Sequence, residues 1–92
     1  MLLQGLKVVE FASYIAAPGA AGILADWGAE VIKVERPEGD PMRNVFGDAK
    51  SALSGNPTFG LDSRGKRAVV LDTSKPEGRE ALTRLTAKAD IF

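Results

Sequence analysis

The order in which strand-forming and helix-forming stretches alternate constrains this chain more than any other feature. Residues 6–11 (LKVVEF) are dense in branched and aromatic side chains and lie between Gly5 and Ala12-Ser13, which marks a short strand. Residues 18–27 read as a helix. Pro18 suits a first helical turn, where an N–H would have no partner, and Gly28 is placed to supply the left-handed residue that ends it. Ile23, Leu24 and Trp27 are its expected buried face. Glu30–Glu35 (EVIKVE) is a second strand, stopped by Arg36-Pro37. Strand, helix and strand within about thirty residues make a βαβ unit, which requires a parallel sheet.

Residues 67–71 (RAVVL) form a third strand, introduced by the basic turn Ser63-Arg64-Gly65-Lys66. Ser74-Lys75-Pro76-Glu77 fits a capping box and starts a helix over residues 76–89. Leu82, Leu85 and Ala89 are spaced there as one stripe, and Glu80 and Arg84 as an i,i+4 pair. Between the second and third strands, residues 37–65 are loop-like, with turn clusters at Glu38-Gly39-Asp40-Pro41 and Ser54-Gly55-Asn56-Pro57. A connection that long usually serves a function. Ile91-Phe92 opens a further apolar run where a fourth strand is expected, so residues 1–92 read as part of a larger α/β domain.

Composition narrows the chemistry. Twelve basic residues balance twelve acidic ones, so no overall field draws the chain to nucleic acid or an anionic membrane, and any anion site must be local. With no cysteine and no histidine, disulfides, thiolate nucleophiles, Cys/His zinc sites and imidazole catalysis are excluded within these residues, and no metal site is expected. The N-terminus lacks a basic leader, and the apolar stretch over residues 15–27 is interrupted by Pro18, Gly19, Gly22 and Asp26. It reads as neither a signal peptide nor a membrane span, and a reducing, cytoplasmic setting is the expectation.

Three places are candidates for ligand contact. Ala17-Pro18-Gly19-Ala20-Ala21-Gly22 is a degraded glycine-rich fingerprint at a helix start, where unpaired N–H groups and a positive dipole end favour phosphate. The competing reading is that its small residues merely let the helix pack closely on the sheet. Arg36, just past the second strand, suits a phosphorylated ribose, and coenzyme A (3′-phosphate) and NADP (2′-phosphate) both fit. After the third strand, Leu71 offers an apolar surface for adenine, while Thr73, Ser74 and Lys75 offer hydrogen bonds to base or phosphate. Arg64, Lys66 and Arg67 cluster just before that strand. Glu10 has no partner nearby in sequence and reads as a charge at a sheet edge or paired with a neighbour, without a catalytic role.

In combination and in this order, several stretches resemble the family III CoA-transferases, which include formyl-CoA and carnitine-type transferases and the related α-methylacyl-CoA racemases. They are residues 5–11 (GLKVVEF), Ala16-Ala17-Pro18, residues 24–37 (LADWGAEVIKVERP), Gly39-Asp40 with Arg43, Lys66-Arg67, and Leu71-Asp72 through Pro76-Glu77-Gly78. The resemblance implies a Rossmann-like CoA-binding domain whose chain begins β-α-β-loop-β-α, in homodimers whose two chains interlock. The positions matching the family's CoA contacts are Ile15, Ala16, Arg36, Leu71, Thr73 and Ser74, with Lys75 as a substitute for a basic residue seen at Ser74 in some members. A polar residue in some members falls at Ile15.

The resemblance also implies substrates, a CoA thioester and a carboxylic acid, and a mechanism through an aspartyl anhydride and then an aspartyl thioester. None of Asp26, Asp40, Asp48, Asp62, Asp72 or Asp90 matches that aspartate, so no catalytic residue is assigned and residues 1–92 alone are expected to be inactive. Two other readings stay open at this point: part of an α-methylacyl-CoA racemase, or a non-catalytic module binding NADP or CoA.

Overall fold

The computed structural model describes residues 1–13, 16–44 and 63–92. The elements are β1 (Lys7–Glu10), α1 (Ala16–Asp26), β2 (Glu30–Glu35), a 3-10 turn (Pro41–Asn44), β3 (Arg67–Val70) and α2 (Pro76–Ala87). The strands and the two α-helices lie where they were expected, β2 with the same bounds and the others with ends shifted by one or two residues. Part of the expected 37–65 loop falls in the 3-10 turn, and the Ser54-Gly55-Asn56-Pro57 cluster lies outside the described residues.

The strands form one parallel sheet in the order β1-β2-β3, with Val8 beside Val31, Glu10 beside Lys33, and Lys33 beside Ala68. On the other side of β1, Ile91 forms a parallel bridge with Val8. The Val9 N–H donates to the Ile91 carbonyl at 3.0 Å. Read across the sheet, the order is therefore β3, β2, β1 and then Ile91, as in the first half of a doubly wound fold. The progression reverses beside β1, and in such sheets ligands bind past the carboxyl ends of the strands near that reversal.

α1 packs on the face of the sheet that carries Val8 and Val31. The core cluster there is Val8, Ala21, Ala29 and Val31, with Leu3, Leu6, Leu24 and Ala25 packed against it. The buried stripe of α1 is Pro18, Ala21 and Gly22, continued by half-buried Ala25, so the helix approaches through its smallest side chains. This corrects the expected apolar face: Leu24 turns inward, whereas Ile23 and Trp27 are 47% and 53% exposed. Large side chains at 23 and 27 stand on the flank because the close approach at 18, 21 and 22 leaves no room for them.

The end of α1 follows the expectation. Gly28 has φ 102°, the Ala29 N–H reaches back to the Leu24 carbonyl at 3.0 Å, and the Gly28 N–H to the Ala25 carbonyl at 3.0 Å, which together are a Schellman cap.

On the opposite face of the sheet, Val9 and Ile32 lie under α2, and with Leu85 and Ala89 they border a gap of about 140 Å³. No residue of α2 is fully buried. The capping box does not form. Lys75 is the N-cap without a side-chain bond, and Ser74 donates its hydroxyl and, at 3.0 Å, its N–H to Asp72 Oδ1. The helix starts one residue later than the box requires, which leaves Ser74 outside the N-cap position, and its O–H donates to the charged carboxylate two residues upstream. Among the described residues, no helix is long and apolar enough to cross a membrane.

Candidate functional site

A parallel sheet sends all its strand tips to one edge, so the residues that follow β1, β2 and β3 gather there. They line an open cavity of about 310 Å³: Phe11, Ala12 and Ser13 after β1; Val34, Glu35 and Arg36 at the end of β2; Thr73 after β3; and Asp40, which folds back from the turn beyond β2. The size is at the lower end for a ligand pocket.

The candidate residues sort as follows. Arg36 is exposed and Thr73 half-buried, and both line this cavity. Ala16 is exposed at the first position of α1, three residues past Ser13, and is not in the cavity wall. Ile15 lies outside the described residues. Leu71, half-buried, extends the sheet by donating its N–H to the Glu35 carbonyl at 2.9 Å. Ser74 is committed to Asp72, and Lys75 is exposed at the start of α2. The turn over residues 72–75 is held from outside as well, by Arg79 Nη1, which donates to the Thr73 carbonyl at 3.2 Å and the Ser74 carbonyl at 3.4 Å.

The basic cluster before β3 is occupied rather than available. Arg64 grips Asp26 of α1 with Nε and Nη2, the latter at 2.7 Å. Arg67 bonds Glu30, and Lys66, with its side chain 1% exposed, bonds Glu10 and the Pro18 carbonyl. Glu10 is therefore not a charge at a sheet edge. It is 4% exposed on β1 and paired with its neighbours Lys33 and Lys66.

These contacts set the charge states around the site. The Ser74 hydroxyl and N–H hold the Asp72 carboxyl below its ordinary value, and Arg64 does the same for Asp26. For Lys33, burial opposes the ammonium, but its bonds to Asp40 and Glu10 outweigh that and raise it above the ordinary lysine value.

Sequence reasoning placed Glu35 beside Arg36 at this strand tip but missed Phe11, Ala12, Ser13, Val34 and Asp40 as wall residues. The usable signal was position: residues 11–13 follow β1 directly, and Glu38-Gly39-Asp40-Pro41 is a turn that brings a carboxylate back toward β2. Chemically, the cleft offers a guanidinium at its mouth, hydroxyls at Ser13 and Thr73, and the ring of Phe11, 42% exposed, as an apolar surface. That set suits a ligand with phosphate at one end and an aromatic base. Among the described residues, no group of three or more metal-ligating side chains gathers.

A parallel α/β sheet of doubly wound order with its cleft at the strand tips defines a Rossmann-like domain. The chain matches CoA-transferase family III over residues 3–92, and it belongs to that family. It is 50% identical, over 100% of its own length and 24% of the relative's, to an (R)-2-hydroxy-4-methylpentanoate CoA-transferase of Clostridioides difficile. It is 42% identical to a cinnamoyl-CoA:phenyllactate CoA-transferase of Clostridium sporogenes, over 99% of this chain and 23% of that one. The structure of a CAIB/BAIF family protein from Brucella suis superposes with a TM-score of 0.84 at 43% identity, covering 96% of this chain and 24% of that one. The chain thus spans about a quarter of the length of the relatives it matches.

Proposed function

We propose that the cavity at the tips of β1, β2 and β3 holds the phosphorylated adenosine end of coenzyme A. In this reading the chain is the CoA-binding part of an enzyme that moves CoA between carboxylic acids. The observation that carries the reading is the meeting of Arg36 and Thr73, from different strands, in one cleft of a family III chain. Arg36 takes the ribose phosphate, Thr73 and the 72–75 turn the adenosine, and Ala16, Leu71, Ser74 and Lys75 complete the surroundings.

The chemistry belongs to an aspartate outside residues 1–92. Its carboxylate attacks the acyl thioester and expels CoA thiolate, forming a mixed anhydride. The thiolate then attacks the aspartyl carbonyl, releasing the first acid and leaving an aspartyl-CoA thioester. The incoming acid's carboxylate displaces CoA from that thioester, and the returning thiolate takes the new acyl group from the second anhydride, freeing the aspartate. Both relatives described above have a 2-hydroxy acid in their names, and a 2-hydroxy carboxylate is the acid partner proposed here. A cytoplasmic, interlocked homodimer belongs to the same reading.

The reading is tested by titrating the chain with CoA and with NADPH at matched ionic strength. Tighter binding of CoA is expected, and tighter binding of NADPH would overturn the ligand.

A further inference from the structure

Four charged side chains form one continuous buried chain beside the cavity. Asp40 Oδ2 meets Lys33 Nζ at 2.7 Å, and Lys33 Nζ meets Glu10 Oε2 at 2.7 Å. Glu10 Oε1 bonds Lys66, which also donates to the Pro18 carbonyl at 2.9 Å. Carboxylates and ammoniums alternate, so the four formal charges cancel, and each side chain is at most 3% exposed. Only Asp40 belongs to the cavity wall.

Asp40 also organises the turn that follows β2. Its Oδ1 accepts from the Met42 N–H at 2.8 Å, its own N–H donates to Glu35 Oε2 at 3.4 Å, and the Gly39 N–H donates to the Arg36 carbonyl at 2.9 Å. Whatever holds the Asp40 carboxylate therefore holds the turn that begins at Arg36. An apolar side chain of lysine's length would fill the same volume without the desolvation that burial imposes on Lys33, so packing does not account for the charge.

We infer that Lys33 is a positioning residue for an anionic ligand of the cavity. It cancels the charge of Asp40 in the wall, which ligand affinity reads, and it clamps, and so orders, the 36–42 turn, which hydrogen exchange reads. Asp40→Asn keeps an Oδ1 to accept the Met42 N–H, so the turn that leads from Arg36 is not lost with the charge. The ligand half of this inference rests on the CoA reading above; the clamp half rests on the ion chain alone. Removing the Lys33 charge leaves Asp40 as an uncompensated carboxylate facing phosphate. Removing the Asp40 charge leaves a surplus ammonium near the same phosphate. The two changes therefore act in opposite directions on ligand affinity, whereas a merely structural pair would lose affinity either way.

The experiment measures CoA affinity, and amide hydrogen exchange at Gly39, Asp40 and Met42, for the 92-residue chain and for Lys33→Met, Asp40→Asn and the double variant. Lys33→Met is expected to weaken CoA about tenfold and to speed exchange in the turn, a loss that one uncompensated nearby charge readily produces. Asp40→Asn is expected to bind CoA more tightly than the unaltered chain, because a carboxylate of the cavity wall no longer opposes the phosphate. The double variant, which retains the balanced Glu10–Lys66 pair, is expected to recover CoA affinity. Equal losses in both single variants without recovery in the double overturn the inference.

If the unaltered chain binds NADPH or nothing in place of CoA, the ligand reading fails separately. Faster exchange in Lys33→Met then still supports the clamp, and unchanged exchange overturns it. Should Lys33→Met not fold, Lys33→Arg with retained affinity and Asp40→Asn with tighter binding support the inference. A tenfold loss in Asp40→Asn overturns it.

Discussion

A β-carbon placed on Gly78 would stand 1.9 Å from the backbone carbonyl oxygen of Asp72, so the first turn of α2 lies directly against the turn that carries Thr73. Only the missing side chain permits this approach, and the obstacle is backbone, which cannot swing away. In an open helix, Gly→Ala would stabilise by about 0.5–1 kcal/mol.

Here overpacking dominates. Gly78→Ala is expected to destabilise the chain by about 1–3 kcal/mol in urea unfolding and to weaken CoA by displacing residues 72–75. Gly22→Ala is the contrasting case. Its new β-carbon would meet Arg64 Nη1 at 3.0 Å, the far end of a flexible side chain. The helix gain and the disturbed exposed ion pair nearly cancel, so a change within about 0.5 kcal/mol is expected.

Arg36→Ala is expected to weaken CoA about tenfold, while dephospho-CoA loses less, because a charge-assisted contact to the ribose phosphate exists only in the former. Calorimetric titration of both ligands checks this. Equal losses would reduce Arg36 to a structural role.

Stability against pH follows from Asp26 and Asp72, both held below their ordinary carboxyl value of 3.8. A carboxyl whose folded value is depressed contributes fully above its unfolded value and loses that contribution as pH falls through the folded one. These two groups should therefore leave the unfolding midpoint unchanged from neutral pH down to about 5 and lower it below about 3.8. In Asp26→Asn the acid-side fall should be shallower. Lys33 is shifted upward, so its contribution is fully present below its ordinary value of 10.5 and is lost only as pH rises beyond that.

How far the structure was legible in the sequence depended on whether the deciding partner was near in the chain. β1, β2 and β3 were readable because branched residues stand between glycines and prolines, and Gly28 marked the end of α1 locally. The buried face of α1 was misread because size was taken for burial, while the close approach selected Pro18, Ala21 and Gly22. The cap at Ser74 does not form because the N-cap falls at Lys75, and Ser74 instead donates its hydroxyl to Asp72.

Glu10 could not be assigned partners from sequence alone, since Lys33 and Lys66 lie 23 and 56 positions away, the first meeting it through the β1–β2 register and the second from the turn before β3. Arg36 and Thr73 could be placed at one edge from the rule that parallel strands end together, whereas Asp40 enters the wall only through the fold of its turn.

The central claim is that the tips of β1, β2 and β3 together form the CoA site, and hydrogen exchange with and without CoA tests it most directly. The account predicts that CoA slows exchange over residues 11–13, 35–40 and 71–75 together, leaving most of α2 unchanged. Protection confined to α2, or present at only one of the three tips, would contradict it.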